Sequence, residues 1–167
     1  MHAVTASLST PACALRARRD EDLAGQTEVR LLITASTPAS VAAIARRIHA
    51  ASARATLPFV RTRAGDLPTD PGMLRDTCAR LLDVAAGGSM LIDNVEEMPE
   101  SVQFMVVEVL ADLEYERLPC AAIRLISGTS VSLLDRVAAG TFSERLFYRL
   151  NAVHVTADDV IRHVTPA

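Results

Sequence analysis

The sequence contains no lysine: all 17 residues in its Lys+Arg count are arginine. That absence excludes a Schiff-base lysine, a lysine general base and the lysine of a phosphate-binding loop. An ordinary P-loop NTPase is excluded with them. Tryptophan is also absent and aromatic residues make up only 4% of the chain, so no aromatic platform for stacked bases is evident. No apolar run approaches the roughly 20 residues that a membrane-spanning helix needs. The three cysteines, Cys13, Cys78 and Cys120, are odd in number, far apart and without clustered histidines. Neither a disulfide framework nor a zinc site is expected from them, and they read as small buried hydrophobes in a reducing compartment. Near the amino terminus the arginines follow the apolar stretch instead of preceding it, which is not the order of a secretory signal. The cytoplasm is the expected location.

What is present fits one compact α/β domain. The chain has 167 residues, 50% of them hydrophobic and 22% charged, enough to bury a core without staples. Its net charge of -3 hides a split. Residues 1–65 carry nine arginines against four acids, a net of +5, while residues 66–167 carry eight against sixteen, a net of -8. A basic head and acidic tail suit head-to-tail self-association or a charged partner. The plainer alternative is a set of solvated helix faces.

Along the chain, short apolar runs alternate with helical patterns. Val29–Thr34, Leu57–Thr62, Ser89–Asp93, Ala121–Ile126 and Asn151–Val155 have strand length and composition. Between the first two, Pro38 to His49 reads as a helix with Val41, Ile44, Ala45 and Ile48 on its apolar face and Arg46, Arg47 and His49 projecting elsewhere. Pro71 to Ala86 reads as a second helix stopped by Gly87-Gly88. A third begins near Pro99, with Val102, Met105, Val106, Val109 and Leu113 as its apolar face. Two short helices, Val131–Ala138 and Phe142–Leu150, flank Gly140. This alternation predicts a three-layer α/β/α sandwich around a five-stranded, mostly parallel sheet. Ligands of such sheets bind beyond the carboxyl ends of the strands. The positions to watch are therefore Ala35–Ala42, Asp93-Asn94 and Ser127–Ser130.

Five stretches, in the right order, resemble the AAA+ domain of bacterial enhancer-binding proteins, the P-loop ATPases that activate sigma-54 RNA polymerase. They are Leu31–Thr34 with Ala45–His49; Ser52–Arg54 with Pro58–Val60; Ala86–Asp93 with Met98-Pro99; Arg124–Ile126; and Ala139–Asn151, which ends in Phe-Tyr-Arg-Leu-Asn. The resemblance implies an amino-terminal arm over residues 1–27 and a degenerate AAA+ core over 28–167.

The departures from the family carry the functional expectation. The resemblance places the glycines of the phosphate loop on Ala35, Pro38 and Ser40 and its lysine on Val41. Pro38 removes a backbone donor, and Val41 brings no charge. Asp93 matches the metal-associated aspartate, but Asn94 stands in place of the glutamate that would act as base. Without phosphates to hold, Asp93 is expected to be a strand-end acid bonded to nearby backbone. The sensor asparagine falls on Ser130. Of two arginine fingers one falls on Ser143, and the other matches Arg149, either an interface residue or a local ion pair. No sigma-54-contacting insertion fits between the second and third strands. The helical lid and the DNA-binding helices of the family are not expected either: Thr156–Ala167 has room for one short helix starting near Ala157.

The resemblance and its departures together imply a non-catalytic module that regulates transcription. It would act through protein contacts, with an intact enhancer-binding ATPase or with itself as partner. No cofactor, no metal and no direct contact with sigma-54, DNA or a membrane are expected. One alternative is a ligand-sensing domain, in which Arg16, Arg18, Arg19, Arg46 and Arg47 take a cyclic dinucleotide. Another is an ATPase with residual nucleotide binding.

Overall fold

A computed structural model describes residues 21–114 and 123–157. Five strands form one sheet: β1 (Leu31–Thr34), β2 (Phe59–Arg63), β3 (Ser89–Asp93), β4 (Arg124–Thr129) and β5 (Val153–Thr156). Their order across the sheet is β2-β3-β4-β1-β5, and every pairing is parallel. Five helices connect them: α1 (Pro38–Ala50), α2 (Pro71–Val84), α3 (Glu100–Glu114), α4 (Leu133–Ala138) and α5 (Glu144–Leu150). The three central strands β3, β4 and β1 are buried along their whole length, as a parallel sheet covered on both faces requires.

Strand alternation sorts the core into two layers. On one face Leu31, Ile33, Leu91 and Ile126 pack under Val41, Ile44, Ala45 and Ile48 of α1. On the other, Leu32, Met90, Ile92 and Leu125 pack with α2, α3, α4 and α5 through Leu74, Val106, Leu133 and Leu146. The helices start where their caps allow. Thr37, Asp70, Ser132 and Ser143 each accept a backbone N–H of the first turn, and α1 and α2 both begin on proline. Gly87, with φ of 75°, ends the passage from α2 into β3. Its neighbour Gly88 lies so close to Pro58 that no side chain fits there.

Several sequence expectations need correction. The fourth strand begins at Arg124 and runs to Thr129. Ser127-Gly128-Thr129 is therefore buried strand instead of turn, since small residues let α1 approach the sheet. The inner stripe of α3 is Val102, Gln103, Val106, Val107 and Leu110; Met105 and Val109 are only half-buried. Gln103 is held inside because its amide donates to Met98 O at 2.9 Å and accepts from Ser143 N at 2.7 Å. His49 is buried instead of exposed, with Nδ1 2.9 Å from Ser89 Oγ.

Residues 21–27 lie against the core: Ala24 is 2% exposed, and Glu21 receives two hydrogen bonds from Arg47 at 2.8 and 2.9 Å. Cys78 is a free, half-buried thiol whose pKa is pushed up by burial. Cys13, Cys120, Arg16, Arg18, Arg19, Leu113's side chain and the helix expected near Ala157 lie outside the described residues.

Candidate functional site

The carboxyl end of β1 leads into α1 through only three residues, Ala35–Thr37. Ala35 is fully buried and its N–H donates to Thr129 O at 3.1 Å, so it continues the ladder to β4. Thr37 Oγ1 accepts from Ser40 N at 3.1 Å and lies 2.9 Å from Ser40 Oγ. Val41 N donates to Thr37 O. The N–H groups of Ala35, Ser40 and Val41 are thus taken up by the strand and by the helix cap.

Val41 fills the space beneath that turn. It is fully buried, and its side chain lies against the bare backbone of Gly128 in β4. A Cβ at Gly128 would fall well inside van der Waals contact with Val41 Cγ1 and 3.1 Å from Asp93 Oδ1. Valine, glycine and aspartate thus close over one another where the strands end.

Asp93 is fully buried and doubly engaged. Oδ1 accepts from Asn94 N at 3.1 Å, the backbone contact expected of it. Oδ2 accepts from Arg61 Nε at 3.1 Å and from Arg61 Nη2. Arg61 comes from the neighbouring edge strand β2, whose register sets Arg61 opposite Leu91 and brings its guanidinium along the same face to Asp93. A fixed cation therefore already neutralises the buried carboxylate.

The loop after β3 is tied down in the same manner. Asn94 has φ of 55° and ψ of 48°, the left-handed conformation that asparagine tolerates. Its amide donates to Glu97 Oε1 at 2.7 Å, and Glu97 Oε2 meets Arg63 at 3.4 Å. Glu96 Oε1 accepts both from Ser130 N at 3.0 Å and from Ser130 Oγ at 2.8 Å. Each acid of the Asp93–Glu97 stretch has an internal partner, and among the described residues no cluster of His, Cys, Asp and Glu is set to hold a metal ion.

A triphosphate with its metal needs free backbone donors, a cation on the loop and a carboxylate open to the ion. The residues present do not fit that group: Pro38 has no N–H, Val41 occupies the space and Arg61 occupies Asp93. An apolar cavity of about 30 Å³ does exist elsewhere, between α2, α3 and the sheet, lined by Cys78, Leu81, Leu82, Ile92, Val106 and Leu110.

The arginines singled out from sequence do not converge. Arg46 lies over the Phe59 ring, 4.9 Å from its centre. Arg47 pairs with Glu21, which raises its pKa. Arg149, in the last turn of α5, is half-buried and engaged by an interaction within the chain. Sequence reasoning did not assign roles to Arg61, Glu96 or the wholly buried Arg124. The signal for Arg61 was available, because Arg61 and Arg63 alternate on one side of a strand preceding an acid-ended one.

This architecture, an α/β sandwich whose site lies beyond β1, β3 and β4, defines a domain of the P-loop AAA+ class. The sigma-54 interaction domain family matches residues 75–156. The nitrogen assimilation regulatory protein NtrX of Azorhizobium caulinodans is 32% identical over 153 residues, covering 83% of this chain and 34% of that protein. Regulatory protein AtoC of Escherichia coli is 31% identical over 77% of this chain and 32% of its own length. Among solved structures, NtrX from Brucella abortus in complex with ATP superposes with a TM-score of 0.72 at 31% identity, over 94% of this chain and 38% of that one. The P-loop NTPase domain of an E. coli sigma-54 activator shares the fold, with a TM-score of 0.64, 18% identity and coverage of 90% and 97%. The chain belongs to the family of sigma-54-dependent activator AAA+ domains. It spans about a third of the length of the curated relatives it matches.

Proposed function

We propose that this AAA+ domain regulates transcription without hydrolysing ATP, through contact with an intact enhancer-binding ATPase or with a second copy of itself. The observation that carries the reading is the packing of Val41 on Gly128 beside an Asp93 already paired with Arg61. A phosphate, a metal and a polarised water would each have to displace a buried internal contact. Asn94 supplies no base to the water in any case. Cofactor-free action in the cytoplasm, without direct contact to sigma-54, DNA or a membrane, completes the reading. No described helix is long and apolar enough to cross a membrane, and α2 fills the β2–β3 connection.

A cyclic dinucleotide site on Arg46 and Arg47 has less support, since one guanidinium stacks on Phe59 and the other is held by Glu21. The deciding experiment is steady-state turnover of Mg-ATP together with a thermal melt in its presence. We expect no phosphate release above buffer and no change in melting temperature; an upward shift of several degrees would overturn the reading. Pull-downs against intact enhancer-binding ATPases then test the partner.

A further inference from the structure

The buried carboxylate of Asp93 is the hub of the loop after β3, and Arg61 is the cation beside it. Arg61 Nε and Nη2 both donate to one oxygen, Oδ2, which leaves Oδ1 to accept from Asn94 N at 3.1 Å. That second bond anchors Asn94, the one non-glycine residue with positive φ among the described residues. From Asn94 the contacts run outward. Its amide donates to Glu97, which also meets Arg63 of β2. The same turn, Val95–Glu97, carries Glu96, whose Oε1 accepts the N–H and the hydroxyl of Ser130 just past β4. Past the turn, Met98 O accepts from Gln103, and Gln103 Oε1 accepts from Ser143 N, the cap residue of α5. Hydrogen bonds thus join one buried charge on β3 to the ends of β2 and β4 and to the start of α5.

We infer that Arg61 is a positioning residue whose fixed charge stands in place of a divalent cation at Asp93, and that it sets the Asp93–Met98 loop, Ser130 and the start of α5 in one arrangement without a ligand. A buried carboxylate needs a positive partner or a proton. A cation that binds and leaves would make the order of this loop depend on a ligand, because a ligand shifts an equilibrium by its differential affinity for the two states. A guanidinium carried on the neighbouring strand does not leave. The misfit between these residues and a metal site is therefore a replacement as well as a loss. Since both donors meet a single oxygen, the position calls for charge more than for a two-oxygen fork. The inference deepens the proposed function by naming what sets the domain in place of a nucleotide, and it rests on that reading for its role.

Amide hydrogen exchange of the full chain, read residue by residue by NMR, tests it in wild type, Arg61→Met and Arg61→Lys. Arg61→Met should speed exchange at Asn94, Ser130 and Ser143 by about tenfold or more, while Leu32 and Ile126 inside the sheet stay slow. Arg61→Lys should keep all three within about threefold of wild type, because an ammonium supplies the charge. Methionine and lysine both keep an unbranched stem, so lost packing would move the two variants alike. If Arg61→Met fails to fold, the Asp93→Asn background decides. With the carboxylate neutralised, adding Arg61→Met should change these rates by less than about twofold. Methionine and lysine variants that exchange alike refute the inference. So do unchanged rates at Ser130 and Ser143 in Arg61→Met, or an undiminished acceleration in the Asp93→Asn background. Turnover of Mg-ATP by the wild type would end the non-catalytic reading and leave these exchange rates as they are, so the two fail separately.

Discussion

Val41 and Gly128 are fitted to each other: the valine side chain rests where any β-carbon at position 128 would collide with it. Gly128→Ala should therefore overpack the site and destabilise the fold by about 1–3 kcal/mol. Urea denaturation measures the loss. Val41→Ala combined with Gly128→Ala should recover part of it, giving a non-additive double-mutant cycle. Additive losses would show that the two residues do not share this space.

Restoring the family's lysine alone should not restore its chemistry. Val41 is fully buried, and an ammonium placed there must lose hydration with Asp93 already taken by Arg61. We expect Val41→Lys to cost several kcal/mol, about as much as an unpaired buried charge in other proteins, and to give no turnover of Mg-ATP. A folded, hydrolysing Val41→Lys variant would show that only the side chain had been missing.

The ion pair beneath the site is asymmetric. Asp93 is 1% exposed at its side chain and Arg61 39%, so solvent screens one partner and not the other. Removing the arginine strands a buried carboxylate that keeps one backbone bond. Arg61→Met should lower stability by roughly 1–3 kcal/mol. Converting the aspartate as well, in Arg61→Met with Asp93→Asn, should lose less than the two single changes added together. Losses that simply add in the double variant would mean that Arg61 contributes through its aliphatic stem alone and not through the pair.

How much of this was legible in the sequence follows from the range of each interaction. Apolar runs and Gly-Gly stops marked the strands and helices because those signals are local. The ends of β4 were misplaced because Ser127-Gly128-Thr129 has turn composition. Only the approach of α1 explains why small residues stand inside a buried strand. The stripe of α3 was ambiguous because valines and methionines surround most of that helix, and Gln103 is drawn inward by two distant backbone groups. His49 follows Ile48 and reads as solvent-facing until Ser89, forty residues on, is brought beneath it. The lost phosphate loop could be read directly, since Pro38 and Val41 are local. What replaced it could not, because Arg61 reaches Asp93 only through the β2–β3 register.

Stability should fall at mildly acidic pH. Burial lowers the pKa of His49 below its ordinary 6.5, and Arg124 and Arg46 lower it further against a raising contribution from a hydrogen bond with the Leu57 backbone. Burial lowers that of His154 as well. The unfolded chain thus binds protons between pH 6.5 and the lower folded values, while the folded chain does not. Stability is retained above pH 6.5 and lost as pH falls through that window, at up to about 1.4 kcal/mol per pH unit for each histidine. Urea midpoints from pH 7.5 to pH 5, taken for wild type and His49→Gln, check this, since the variant should show a shallower decline. An unchanged slope would remove His49 from the account.

Arg124 gives the last prediction. It is wholly buried, its Nη2 donates to Ala24 O and to Thr27 Oγ1 at 3.3 Å, and its Nε and Nη1 have no partner among the described residues. Burial and the nearby Arg54 depress its pKa, with Glu28 as the opposing charge. A buried guanidinium with idle donors incurs desolvation that its contacts do not fully offset. Arg124→Met keeps most of the volume and removes the charge, so we expect global stability to change by less than about 1 kcal/mol in either direction. Arg124→Ala leaves a void and should cost about 2–5 kcal/mol. The methionine variant should still differ from wild type in one place, because both contacts of Arg124 with residues 24–27 are gone. Amide exchange there should quicken while exchange in β1 and β4 stays slow. If Arg124→Met instead unfolds as readily as Arg124→Ala, the guanidinium itself holds the amino-terminal segment to the sheet.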